Sequence, residues 1–92
     1  MNVEHILDEH RFVARLPEGD AVLRYSILGD TLMDIQSTYV PGAARGRGIG
    51  GALVKGALGY AREKGYSVRP SCWYVETWVG KHPEHAGLLE GG

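Results

Sequence analysis

Val40-Pro41-Gly42-Ala43-Ala44-Arg45-Gly46-Arg47-Gly48-Ile49-Gly50-Gly51 joins a run that reads as a strand to a longer run that reads as a helix. Five of these twelve residues are glycine, and both charges are arginines. Glycine removes the Cβ atoms that keep a ligand off the backbone, so successive N–H groups can converge on one anion. A helix beginning near Gly48 aims its unpaired first-turn N–H groups and positive dipole end at the same place. Arg45 and Arg47 add fixed charge. Arginines are also ordinary solvated surface residues, but in a glycine-rich helix start the stronger reading is a phosphate or pyrophosphate seat.

Spacing decides among phosphate loops. A Walker loop ends in Gly-Lys-Ser/Thr, and here the residues are Gly-Ile-Gly-Gly-Ala, which excludes it. Gly46-x-Gly48-x-x-Gly51 satisfies the dinucleotide pattern. That fold also wants an acidic residue at the end of the next strand, roughly 20 residues on. The next strand, Tyr66 to Arg69, runs into Pro70-Ser71 instead, and 92 residues leave no room for a full dinucleotide-binding sheet.

Working outward, the preceding segment alternates. Phe12, Ala14 and Leu16 share one side of a strand from Arg11, followed by turn residues Pro17-Glu18-Gly19-Asp20. Ala21 to Leu28 places Leu23, Tyr25 and Ile27 together, and Gly29-Asp30 reads as a two-residue hairpin loop. Thr31 to Val40 puts Met33, Ile35, Ser37 and Tyr39 on one face. This is a three-stranded antiparallel meander, with at most a short edge strand before it.

Downstream, Gly48 to Lys64 reads as one helix with Ile49, Leu53, Ala57 and Tyr60 at helical spacing and Gly65 as its C-cap. Gly56 and Gly59 each cost about 1 kcal/mol against alanine, which predicts close packing on the sheet at both. Tyr66 to Arg69 forms a short strand parallel to the third, because a helix crosses over between them. Ser71 is placed to cap a last helix from Cys72 to Lys81, ended by His82-Pro83, with Ala86 to Gly92 a loose tail. The glycine loop and Cys72 thus follow the carboxyl ends of two neighbouring parallel strands, the edge where open sheets bind ligands.

Composition bounds the rest. Ninety-two residues at net charge −1 suit one domain, 1–92, without the basic field that nucleic acid binding wants. One cysteine forms no internal disulfide, the N-terminus lacks a signal peptide's charge and apolar pattern, and no apolar run spans a membrane. The expectation is a cytoplasmic protein. His5, His10 and His85 lack ligand spacing, so no metal is expected.

Arg45-Gly46-Arg47-Gly48-Ile49-Gly50 after Val40-Pro41 matches Arg/Gln-x-x-Gly-x-Gly/Ala. With Ala61-Arg62-Glu63-Lys64-Gly65, Pro70-x-Cys72 and His82-Pro83-Glu84, the chain from about residue 3 to 86 resembles the small single-domain branch of the GNAT N-acetyltransferases. The resemblance implies an α+β, GNAT-like mixed sheet and acetyl-CoA as co-substrate. It implies that Arg45, Gly46, Arg47, Gly48, Ile49, Gly50 and Gly51 hold the pyrophosphate. Between two splayed parallel strands, Tyr39 and Val40 would hydrogen-bond the pantetheine, with the thioester pointing inward near Cys72.

Cys72 carries two readings. An isolated cysteine among aromatics is a small buried hydrophobe. A thiol at a helix N-terminus near Arg69 is also the setting in which thiolates form, and the resemblance implies a catalytic cysteine, as nucleophile or acid/base. Related sequences often carry histidine where Ser37 stands, which leaves Tyr39, Asp34 or Glu76 to be weighed as base. His82 equally serves as a helix C-cap. Of Trp73 and Trp78, which do not share one helix face fully, one is expected at the surface.

The expected activity is transfer of an acetyl group from acetyl-CoA to an amine, on a protein or a small molecule. The alternatives are a non-enzymatic CoA-binding or protein-interaction module and a phosphate or nucleic-acid binder. Neutral overall charge opposes the last.

Overall fold

Alternating apolar residues in the first forty positions build the sheet on which the glycine loop is mounted. The computed structural model describes residues 2–90. Five strands, β1 (Val3–Ile6), β2 (Arg11–Ala14), β3 (Ala21–Leu28), β4 (Leu32–Tyr39) and β5 (Ser67–Pro70), lie in the order of the chain. The first four pair antiparallel, and β5 runs parallel to β4. The fold is a mixed α+β sheet, as expected, with the short edge strand β1 completing it.

Two details of the meander differ from the sequence pattern. Leu28 pairs with Leu32, so the hairpin loop has three residues, Gly29 to Thr31, rather than two. The Thr31 carbonyl accepts a hydrogen bond from Ser67 N at 2.8 Å, which holds that residue for the start of β5. More consequential is a β-bulge in β4. Tyr25 pairs with Ile35 but Arg24 pairs with Ser37, so Gln36 is the extra residue. Its insertion inverts the alternation beyond it. Met33 and Ile35 are in the core as expected, but Thr38, paired with buried Leu23, continues that face. Ser37 and Tyr39 turn to the opposite side.

Helix α1 (Ile49–Lys64) lays Ile49, Leu53, Val54, Ala57, Leu58 and Ala61 on the sheet. Each fully buried leucine or valine there contributes roughly 1.5–3 kcal/mol. Gly65 caps it with φ 77°. Gly56 packs closely on the sheet as expected, where a Cβ would just touch Phe12 at 3.4 Å. Gly59 does not, because nothing lies within 4 Å of its Cβ position, so the close packing expected at Gly59 is absent.

Helix α2 (Trp73–Lys81) follows β5. Cys72, not Ser71, is its N-cap residue, and no side chain caps it. The Ser71 hydroxyl donates instead to Asp34 Oδ1 on β4. His82 is the C-cap residue. The following segment is not loose. Pro83–Leu88 forms a 3₁₀ turn, Leu89 bridges Val68, Glu90 N donates to the Val68 carbonyl at 2.7 Å, and Arg69 binds Glu90 through two hydrogen bonds. The free edge of β5 supplies the backbone partners that a sequence pattern does not reveal. Gly91 and Gly92, also read as tail, lie outside the described residues. Among the described residues no helix is long and apolar enough to cross a membrane.

Candidate functional site

Strands β4 and β5 are paired only from Leu32–Ser67 to Ile35–Pro70. The Cys72 N–H, donating to the Ile35 carbonyl at 3.0 Å, is the last link before the two connections part. Beyond it β4 continues to Tyr39 paired only with β3, its other edge beside a cavity of about 490 Å³. Thr38 and Val40 line one wall and Trp73 and Tyr74 of α2 another, while Ala44, Arg45, Gly46, Gly48, Ile49 and Gly50 form the end.

The loop begins with a 3₁₀ turn, Gly42–Ala44, anchored by buried Ala44. Gly46 and Gly48 then take φ of 87° and 77°, a region other residues rarely enter. Among the described residues, the N–H groups of Gly46, Arg47 and Gly48 have no backbone partner, and intrahelical bonding starts with Ala52 to Gly48. The N–H groups from Gly46 to Gly51 are therefore free for an anion at the positive end of α1.

The two arginines separate. Arg45 lines the cavity, with Nε donating to the Val40 carbonyl at 3.2 Å. Arg47 turns away to Glu18 in the β2–β3 turn and to the Ala43 carbonyl. The backbone N–H of Glu18, and then the Arg47 guanidinium, hold the Glu18 carboxyl below the usual carboxylate range. Gly51 belongs to the far side of α1, under Trp78.

Tyr39, 57% exposed, stands off the cavity because of the bulge. The same inversion places Thr38 on the wall, and its hydroxyl lies 3.7 Å from Cys72 Sγ. Cys72 is 7% exposed, so its thiol sits behind Thr38 rather than in the open cavity. Ser37 pairs with Arg24 on the opposite face. Among the described residues neither histidine nor carboxylate lines the cavity.

Thr38, Ala44 and Tyr74 are lining residues that sequence reasoning did not select. Strict alternation hides Thr38, and nothing in the sequence marks Gln36 as the bulged residue. Trp73 and Tyr74 were visible only as an aromatic group. Trp73 is 75% exposed at the cavity mouth, whereas Trp78 is buried, so the tryptophans divide as expected. Among the described residues no group of three or more His, Cys, Asp or Glu side chains converges as a metal site requires.

A family model described as GCN5-related N-acetyl-transferase matches residues 11–88. Protein NATD1 of Gallus gallus is 38% identical over 85 residues, covering 90% of this chain and 77% of the chicken protein. The human Protein NATD1 is likewise 38% identical over 85 residues, 75% of its length. That of Danio rerio is 36% identical over 92 residues, covering 98% of this chain and 83% of the fish protein.

Proposed function

Since the chain belongs to the GCN5-related N-acetyltransferase family, we propose that it binds acetyl-CoA in the cavity between β4, the glycine loop and α2 and transfers the acetyl group to an amine. The observation that carries this reading is the row of free N–H groups from Gly46 to Gly50, at the open end of the β4–β5 fork. Those amides and Arg45 suit a pyrophosphate, and the edge of β4 beyond Ile35, which no longer pairs with β5, offers backbone groups to an amide-bearing arm. Arg47 joins them only by releasing Glu18. Tyr39 contributes backbone alone.

The reaction forms a C–N bond and breaks the C–S bond. The amine gives up one proton and the departing thiolate takes one. Cys72 stands at the reacting end with Thr38 between its thiol and the cavity, an arrangement that suits proton relay through the hydroxyl better than attack by sulfur. The domain is read as a single unit over 1–92, working in the cytoplasm with no nucleic-acid partner.

A second reading, a CoA-binding or protein-interaction module without turnover, is favoured by one observation: the cavity wall holds no histidine or carboxylate to act as base. Native mass spectrometry with acetyl-CoA, followed by assays on an amine panel, separates the two. A CoA adduct with acetylated product supports the transferase, and an adduct without product supports the module. No adduct overturns both CoA readings. In the denaturing spectrum, an acetyl mass retained on Cys72 would overturn the relay in favour of covalent transfer.

A further inference from the structure

A second cavity, of about 270 Å³, opens on the other side of the first turn of α1. It shares Gly48 with the first and is otherwise lined by Gly51, Ala52 and Lys55 of α1 and by Trp78 and His82 of α2. Gly51 and Lys55 are four residues apart, so they stand on one helix face about 6 Å from each other.

Trp78 is 8% exposed, yet its indole N–H finds no acceptor among the described residues. No fully enclosed side-chain nitrogen or oxygen lacks a partner among the described residues, so this N–H reaches the cavity surface. It points toward Gly51: Nε1 lies 2.9 Å from where a Gly51 Cβ would stand. The His82 ring lies flat on the indole, with centroids 3.8 Å apart and planes 12° apart. His82 Nδ1–H donates to the Trp78 carbonyl at 2.8 Å, which leaves Nε2 for the cavity. Lys55 is exposed and lies outside every ion pair of the described residues.

The cavity thus gathers an unspent indole N–H, the free first-turn N–H of Gly51 and an unpaired ammonium, with no carboxylate on its walls. The indole N–H is open at the cavity surface, where a bound anion would accept a hydrogen bond from it in place of water. We infer that this is a second anion site, shaped for a phosphate monoester, and that it takes the ribose phosphate of the same acyl-CoA whose diphosphate lies on the glycine loop. The two cavities meet at Gly48, one helical turn apart, as the diphosphate and monoester flank one ribose in that ligand. The inference rests on the acyl-CoA reading. A free phosphate monoester has the same chemistry and is the other source.

The test compares CoA with dephospho-CoA by calorimetry on the wild type, Lys55→Ala and Trp78→Phe, which removes the N–H but keeps an aromatic ring. The wild type is expected to bind CoA about tenfold or more tighter than dephospho-CoA, the worth of charge-assisted hydrogen bonds. Each variant should lose most of that difference while its affinity for dephospho-CoA stays unchanged. Equal wild-type affinities, or variants that weaken both ligands alike, overturn the inference and leave the acyl-CoA reading standing. If neither ligand binds, the acyl-CoA reading fails. The Trp78 indole ¹H–¹⁵N resonance, assigned from its loss in Trp78→Phe, is then followed with inorganic phosphate. A saturable shift abolished by Lys55→Ala keeps the anion site for a free phosphate, and no shift ends it.

Discussion

Tyr74 Oη stands 2.6 Å from the point a Cβ on Gly50 would occupy. The glycine that ends the anion loop is also the seat of the phenol that walls the cavity. Loop chemistry and helix packing therefore constrain one position.

Gly50→Ala should cost about 1–3 kcal/mol, because the methyl group forces Tyr74 off α1. Gly59→Ala, on the same helix with open space around it, should instead stabilise by about 0.5–1 kcal/mol. Urea denaturation of both variants measures this. In a Tyr74→Ala background the Gly50→Ala penalty should vanish, and its persistence would place the cost in the loop itself.

These two glycines also show what sequence can and cannot carry. Period-two and helical patterns gave the core strands, α1 and its cap, because burial imposes those periods directly. The glycine loop was legible because positive-φ backbone and helix-start chemistry restrict residue choice locally. Gln36 was not, since a bulge is set by pairing with β3 and any polar residue tolerates it; missing it put Ser37 and Tyr39 on the wrong face and concealed Thr38. The docking of Leu89 and Glu90 on β5 was equally hidden, being a long-range backbone match with no side-chain signature. Gly50 and Gly51 read as glycines of the anion loop and helix start, and nothing local showed that Tyr74 and Trp78 of α2 also lie against them.

Arg45 and Arg47 look equivalent in sequence but should differ in binding. Arg45→Ala removes a charge at the cavity and should weaken CoA about tenfold. Arg47→Ala should do less, since that guanidinium is held by Glu18. Glu18→Gln should make Arg47 available and tighten binding. Calorimetry at low salt measures all three, and equal losses for the two alanine variants would show that Arg47 leaves Glu18 when ligand arrives.

Far from the cavity, His5 Nε2 lies 2.6 Å from Tyr25 Oη, at the joint between β1 and the core. Burial, and next the nearby His10, lower the His5 pKa from 6.5. The unfolded chain therefore takes the proton first, and stability is lost as pH falls below 6.5 toward the depressed value. Burial, with Tyr60 and Tyr66 adding, pushes Tyr25 up from 10.0 to about 12. The unfolded phenol ionises first, so stability is also lost as pH rises from 10 to about 12. Denaturation midpoints across pH should fall on both sides, and Tyr25→Phe should reduce the alkaline loss, leaving the part due to Tyr60, whose phenol burial also pushes up.

Thr38 and Cys72 offer the sharpest separation of a chemical from a packing role. At 7% exposure the thiol should react with a disulfide reagent at least about tenfold more slowly in the native protein than in denaturant. Thr38→Ala strips the atoms that screen Sγ, so its native rate should rise toward the unfolded one. Thr38→Val keeps the screen but loses the hydroxyl. It should leave the thiol as unreactive as in wild type while cutting acetyl transfer about tenfold or more, with Thr38→Ser restoring transfer. Cys72→Ala should cut transfer to the level of Thr38→Val, since both break one relay. Full transfer by either variant, with circular dichroism unchanged, would make the pair a core contact and place the proton steps elsewhere in the cavity.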